Sequence, residues 1–150
     1  MSSTVKQKVV EEALTWVGTP YHEQAQLKGI GVDCAQLIAG IAKGAGIETD
    51  LVIPTNYNAQ HAINSDDEEM LRLIELYGCT PTDTPEPGDL VAFKMGRSHG
   101  HLGILVSSTE FVHAEYQRTN KGTTNGQVVR VHMNGEWLQR DKLYYEFPKA

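Results

Sequence analysis

The sequence predicts an α+β fold in which N-terminal helices pack on a five-stranded antiparallel sheet. Apolar residues recur at helical spacing from Val9 to Val17 and from Leu37 to Ala42, and the period changes to alternation after Pro87-Gly88. Five short alternating runs follow with brief connections, which suits antiparallel neighbours because parallel strands need long crossovers. Helices first and strands after is the segregated order of this class. At 150 residues the chain can bury a real core, and 1–150 is read as one domain.

Taken in order, Thr4 with Gln7 forms a capping box that opens the first helix. Val9, Val10, Ala13, Leu14 and Val17 make its apolar face, Gly18 and Pro20 end it, and Lys8 can pair with Glu12 on its wet side. Residues 18–33 read as a loop. The second helix runs from Cys34 to Lys43 behind an Asp33 cap, with Leu37, Ile38, Ile41 and Ala42 inward. Ala39 and Gly40 leave room for another element to approach, and Gly44 and Gly46 stop the helix. Pro54, Asn56, Asn58 and Asn64 mark a loop, after which Ser65-Asp66-Asp67 opens a third helix carrying Met70, Leu71, Ile74, Leu76 and Tyr77. It ends at Gly78, and Pro81, Pro85 and Pro87 form a rigid connector. The expected strands are Asp89–Lys94, His101–Val106, Phe111–Tyr116, Gln127–Met133 and Leu143–Phe147.

A net charge of −6 argues against nucleic acid as a partner, and no apolar run approaches membrane-spanning length. Met1 to Glu12 is polar and charged, so no signal peptide is expected and synthesis in a reducing cytosol fits. The two cysteines, Cys34 and Cys79, make neither a disulfide framework nor a CxxC zinc pattern, and no cofactor is implied.

The chemistry centres on Gly29-Ile30-Gly31-Val32-Asp33-Cys34-Ala35-Gln36, a tight loop feeding a helix with a cysteine at the junction. Free N–H groups and partial positive charge at a helix start favour a thiolate and can hold a developing oxyanion. A small buried residue at a helix start is the competing reading. His101 and His113 lie on successive strands joined at Ser107–Thr109. A three-residue turn there puts Gly103 opposite His113 and His101 diagonally on the same face, about 7–8 Å away at the backbone. Cys34 then attacks, His101 takes its proton, and His113 orients His101, with Glu115 as the substitute. A metal site built from His99, His101 and His113 is the alternative. Trp16 and Trp137 read as anchors at the core edge, and Cys79 as a small packed residue.

Several short runs resemble, in order, the NlpC-type cell-wall cysteine peptidases, a bacterial branch of the papain-like fold. They are Gly18-Thr19-Pro20-Tyr21, Asp33-Cys34-Ala35-Gln36-Leu37, Pro87-Gly88-Asp89-Leu90, His101-Leu102-Gly103-Ile104 and Phe111-Val112-His113-Ala114. The resemblance implies a Cys34, His101, His113 triad acting on peptidoglycan stem peptides at a γ-D-glutamyl–diamino-acid bond, with Tyr21 and Asp33 at the substrate. Ala35 stands where the family usually has serine, and residues 47–85 form a longer segment than in compact members. Gly88-Asp89-Leu90 through Phe93-Lys94-Met95-Gly96-Arg97 resembles a phage-encoded, tail-associated subgroup, which implies phage tail proteins as partners and a place on the virion acting at the wall. A tail component without turnover and an acyltransferase on the same fold are the other readings.

Overall fold

The computed structural model describes residues 4–47, 68–118 and 124–148. The expected loop at Pro54, Asn56, Asn58 and Asn64, and the expected helix start at Ser65-Asp66-Asp67, lie outside the described residues.

Helix α1 (Val5–Thr15) opens on a complete capping box: Thr4 Oγ1 accepts the Gln7 N–H at 3.1 Å, and Gln7 Oε1 accepts the Thr4 N–H at 2.8 Å. Val9 and Ala13 are buried, while Val17 lies past the helix end and is exposed. Glu12 does not pair with Lys8. Its Oε2 accepts from Trp16 Nε1 at 2.9 Å and meets Lys28 Nζ at 2.6 Å, so the carboxylate ties the helix to the following loop. Within that loop, β1 (Gln26–Leu27) and β2 (Gly31–Val32) form a small hairpin.

Helix α2 (Cys34–Gly44) is buried on every side from Cys34 to Ala42, because α1 covers one flank and the sheet the other. A Cβ on Gly40 would lie 2.6 Å from the Trp16 ring, so the small residues of α2 receive that indole. Trp16 is thus a core residue and not an edge anchor. Helix α3 (Glu69–Leu76) buries Met70, Leu71 and Ile74 and leaves Leu76 exposed.

Among the described residues the main sheet has six strands where five were expected. They are β3 (Thr80–Thr82), β4 (Leu90–Met95), β5 (Ser98–Leu105), β6 (Glu110–Ala114), β9 (Val128–His132) and β10 (Lys142–Glu146), in the order β3-β10-β4-β5-β6-β9, with every neighbouring pair antiparallel. The extra strand is β3, read from sequence as connector because of Pro81. A proline is tolerated there because β3 is an edge strand and needs ladder bonds on one side only. A separate two-stranded ribbon, β7 (Gln117–Arg118) with β8 (Thr124–Asn125), lies between β6 and β9 in sequence.

The sheet has two unlike faces. Leu90, Ala92, Leu102, Ile104, Val112 and Ala114 join the large core with α1, α2 and α3. Val91, Phe93, Leu105 and Phe111 form a smaller cluster on the other face, covered by Trp137 of the short helix α4 (Gly135–Gln139). No helix among the described residues is long and apolar enough to cross a membrane.

The first turn of α1 is keyed into the turn before β4. Gly88 has φ +97°, and a Cβ there would lie 2.5 Å from the Lys6 carbonyl oxygen. Lys6 Nζ stands 3.2 Å from Oδ1 of the fully buried Asp89, whose Oδ2 accepts the Glu86 N–H at 2.8 Å. Gly88→Ala should therefore combine left-handed strain with a backbone clash and lower stability by about 2–4 kcal/mol. Urea unfolding of the two proteins checks it, and equal midpoints would refute the close approach.

Candidate active site

Asp33 builds the start of α2. Its Oδ1 accepts the Gln36 N–H at 2.7 Å, as a helix cap does, and its Oδ2 accepts the Gln24 N–H at 2.7 Å. Gln24 has φ 65°, the one positive value at a non-glycine position among the described residues, and the Asp33 bond holds it there. One carboxylate thus fixes both the helix start and the chain leading into it.

Cys34 follows as the first helical residue, buried against the sheet. The N–H groups of Cys34, Ala35 and Leu102 all lie at its sulfur. The third is a consequence of sheet register. Val106 donates its N–H to Glu110, so alternate residues of β5, Ile104 and Leu102, turn theirs toward β6 as well. The β5–β6 ladder ends at Gly103↔His113, and the Leu102 N–H reaches the thiol instead of a strand partner. Cys34 therefore sits at the open end of that ladder, against the peptide unit that joins His101 to Leu102.

The register has Gly103 opposite His113 and Val106 bonded to Glu110, as the turn length predicts. His101 and His113 share a face, with ring centroids 5.0 Å apart at 83°, and His101 Nε2 lies 2.9 Å from His113 Nδ1. Both are on the face opposite the helices, so thiol and imidazoles approach from opposite sides of the sheet. No hydrogen bond joins Cys34 to either histidine in this form. Glu115 donates its N–H to the Gln127 carbonyl at 2.9 Å, and His101 Nε2 bonds to His113.

The electrostatics differ from the sequence reading. Burial pushes the Cys34 thiol up to about 12, the Asp33 carboxylate pushes the same way, and the three N–H groups oppose without prevailing. Cys79 is likewise pushed up to about 12 by burial. Burial takes His101 down to about 3, with His113 and Arg140 adding to the effect, and burial takes His113 down to about 4. The resting site therefore has a protonated thiol on the helix side of the sheet and two neutral imidazoles on the other.

Tyr21 borders the thiol. The segment before it is stitched to β9, with Gly18 N–H on the Val128 carbonyl, Val128 N–H on the Thr19 carbonyl and Tyr21 N–H on the Gly126 carbonyl. Its ring meets Tyr116 edge-on at 5.3 Å. Its hydroxyl is held protonated, first by burial and then by the nearby Cys34 and Asp33.

Trp137 is an edge anchor as the sequence reading has it, but its place over the histidines was not foreseen. It lies over the histidines, stacked on His101 at 5.7 Å and 22° and edge-on to His113 at 4.9 Å. Its partners come from β4, β5 and β6, so no local pattern could have marked it. His99 does not join the pair. Its N–H donates to Glu68 Oε2 at 2.8 Å and its Nδ1 lies 3.1 Å from Glu68 Oε1, and among the described residues no three His, Cys, Asp or Glu side chains are grouped to hold a metal.

The site thus combines a buried thiol on a helix start with a bonded imidazole pair on a helix-backed antiparallel sheet. A family profile described as the NlpC/P60 family matches residues 18–140, and the chain belongs to that family. No curated protein sequence matches it. Among solved structures, it is similar to a Staphylococcus aureus subsp. aureus Mu50 protein described as similar to a lipoprotein of the NLP/P60 family, with a TM-score of 0.60 at 16% identity. That alignment covers 100% of this chain and 43% of the staphylococcal one, so the chain spans less than half of that relative's length. It is also similar to the NlpC/p60 domain of the peptidoglycan hydrolase SagA, with a TM-score of 0.56 at 16% identity, covering 92% of this chain and 96% of that domain. At these identities the likeness concerns the fold.

The neutral imidazoles make stability pH-dependent. Both titrate below the ordinary 6.5, so between about 6.5 and 4 the unfolded chain binds protons that the folded chain refuses. Stability should rise with pH through that window and be lost on acidification. His113→Gln should flatten the decline between pH 7 and pH 4.5 in thermal unfolding. An equally steep decline in the variant would place the proton uptake elsewhere.

Proposed function

We propose that this chain is a cysteine peptidase that cleaves peptidoglycan stem peptides, at the bond between γ-D-glutamate and the diamino acid. The observation that carries the reading is the 2.9 Å bond from His101 Nε2 to His113 Nδ1 on a strand whose Leu102 N–H lies at a thiol placed on a helix N-terminus. Membership of the NlpC/P60 family supports it, as does the fold shared with a domain of a named peptidoglycan hydrolase.

The chemistry follows from the nitrogen assignments. With Nε2 of His101 committed to His113, Nδ1 is the nitrogen left for Cys34. To accept a proton on Nδ1, neutral His101 carries its hydrogen on Nε2 and donates it to His113 Nδ1. Cys34 Sγ attacks the carbonyl carbon as its proton passes to His101 Nδ1. The carbonyl oxygen becomes an oxyanion, which N–H groups at the α2 start stabilise. Collapse expels the amine, which takes the proton from His101, and leaves a thioester on Cys34. Water then attacks the thioester, again with His101 as base, and releases the acid and the thiol. Because thiol and imidazole both rest uncharged, the proton moves as attack begins, and a bound substrate that closes the gap at the ladder end starts the reaction. Tyr21 contacts the substrate beside the thiol, and Asp33 shapes that edge through the backbone it holds. Association with a phage tail, carried by the sequence resemblance, is the proposed route to the wall.

Cys34→Ala should reduce release of peptides from purified peptidoglycan by at least about 10³-fold while leaving thermal stability near wild type, since the change is small. Retained turnover would end the cysteine mechanism. Mass spectrometry of the muropeptides should show new ends at D-glutamate and at the diamino acid, and new ends elsewhere would move the assigned bond.

A further inference from the structure

We propose that Trp137 is a positioning residue of this site, a roof that clamps the His101–His113 pair in its bonded geometry, and that Arg140 holds the roof in place. The inference rests on the peptidase reading for its consequence in turnover, but not for its geometry.

Trp137 touches both imidazoles at once. Trp137 stacks on one face of His101 at 5.7 Å, and Phe93, 6.2 Å from His101 and 4.8 Å from the indole, packs against both from that same side. His113 meets the same indole edge-on at 4.9 Å, and Phe111 completes the cluster, 5.0 Å from His113 and 5.4 Å from the indole. With the indole over one face of His101 and Nε2 bonded to His113, rotation of the ring about its Cβ is restricted, and the indole screens that side of the part-buried bond from water. Removing the indole uncovers one side of each ring.

The roof has a tether aimed at the same place. Helix α4 is five residues long, buries none of them, and meets the apolar cluster through Trp137. Its far end is sewn to β4 at Lys94, where Arg140 Nη1 donates to the Lys94 carbonyl at 3.3 Å and the Lys94 N–H donates to the Asp141 carbonyl at 2.8 Å. The residue before Lys94 is Phe93, which pairs with His101 across the ladder. The Arg140 guanidinium lies over the Trp137 ring at 5.7 Å, within cation–π range. Arg140 Nε is buried with no acceptor among the described residues. A buried donor left unpaired is unfavourable for the fold, which points to a role for Arg140 beyond stability. Its charge also bears on His101. The groups facing that imidazole are His113 from β6, Arg140 from beyond α4 and the apolar Phe93 from β4, and the two titratable or charged ones both disfavour the imidazolium.

The test uses the full chain with Trp137→Ala, Trp137→Phe and Arg140→Met. The first readout is the NMR titration of the His101 and His113 ring signals, which needs no turnover. Trp137→Ala should raise both midpoints by about one unit or more toward 6.5 as water enters. Trp137→Phe should keep them near wild type. Arg140→Met should raise the His101 midpoint more than that of His113. The second readout is hydrolysis of a soluble stem peptide, where Trp137→Ala should lower kcat by about 10-fold or more with little change in KM. Its acid limb should move up in pH, and Trp137→Phe should restore most of the rate. Midpoints in Trp137→Ala that match wild type would overturn the clamp. If Trp137→Ala does not fold, an unmoved His101 midpoint in Arg140→Met overturns it equally. A wild-type protein that cleaves no stem peptide, with midpoints that still depend on Trp137, would refute the peptidase reading and leave the clamp standing.

Discussion

The buried carboxylate of Asp33 is the constraint from which the site follows. By accepting from Gln36 on one side and Gln24 on the other, it sets where α2 begins and how the chain arrives there. Cys34 comes next and inherits its position. The same charge lies beside the thiol and, together with burial, keeps its proton on against three N–H groups. The group that builds the helix start thus opposes ionisation of the residue it places. In the proposed reaction a protonated thiol needs a base that is itself uncharged, and burial keeps His101 on the far face neutral. The two halves of the site are matched as a neutral pair, which differs from the preformed ion pair that a helix N-terminus alone suggests.

Much of the fold was legible because local and tertiary signals agree. The Thr4 and Asp33 caps, the stripe of α2 and the alternation after Gly88 each report what their own neighbours do. The discrepancies occur where a residue has two possible employers. Glu12 has Lys8 one turn away, but the partners it takes are Trp16 and Lys28, and only the loop's path decides that. Pro81 argues against a strand in the middle of a sheet and not at an edge, and strand order is not written in the local sequence.

The site divides in the same way. The His101–His113 pairing was legible because the length of one turn fixes a register, and a register fixes a face. The state of Cys34 was not, because it depends on how deeply α2 is buried, which is a sum over α1, the sheet and the loop. The Leu102 N–H was hidden for another reason: it is a backbone group, freed by where a ladder stops. Trp137 carries no periodic signal in a five-residue helix, and its importance comes from three strands that meet only in the folded sheet.

The strand order has a consequence for how the molecule comes into being. β10 is the strand of the main sheet that lies latest in sequence, yet it runs between β3 and β4 and not along an edge. Until it emerges and inserts, β4 presents an unpaired flank made of the same segment that carries Phe93 and the anchor for the roof. Closing that flank joins residues about fifty apart in sequence, and docking α1 against Gly88 joins residues more distant still. Such non-local closure is slow relative to helix formation. In a nascent chain the α2 segment that carries the thiol is therefore complete well before the imidazoles can be roofed, so the two halves of the site come together late.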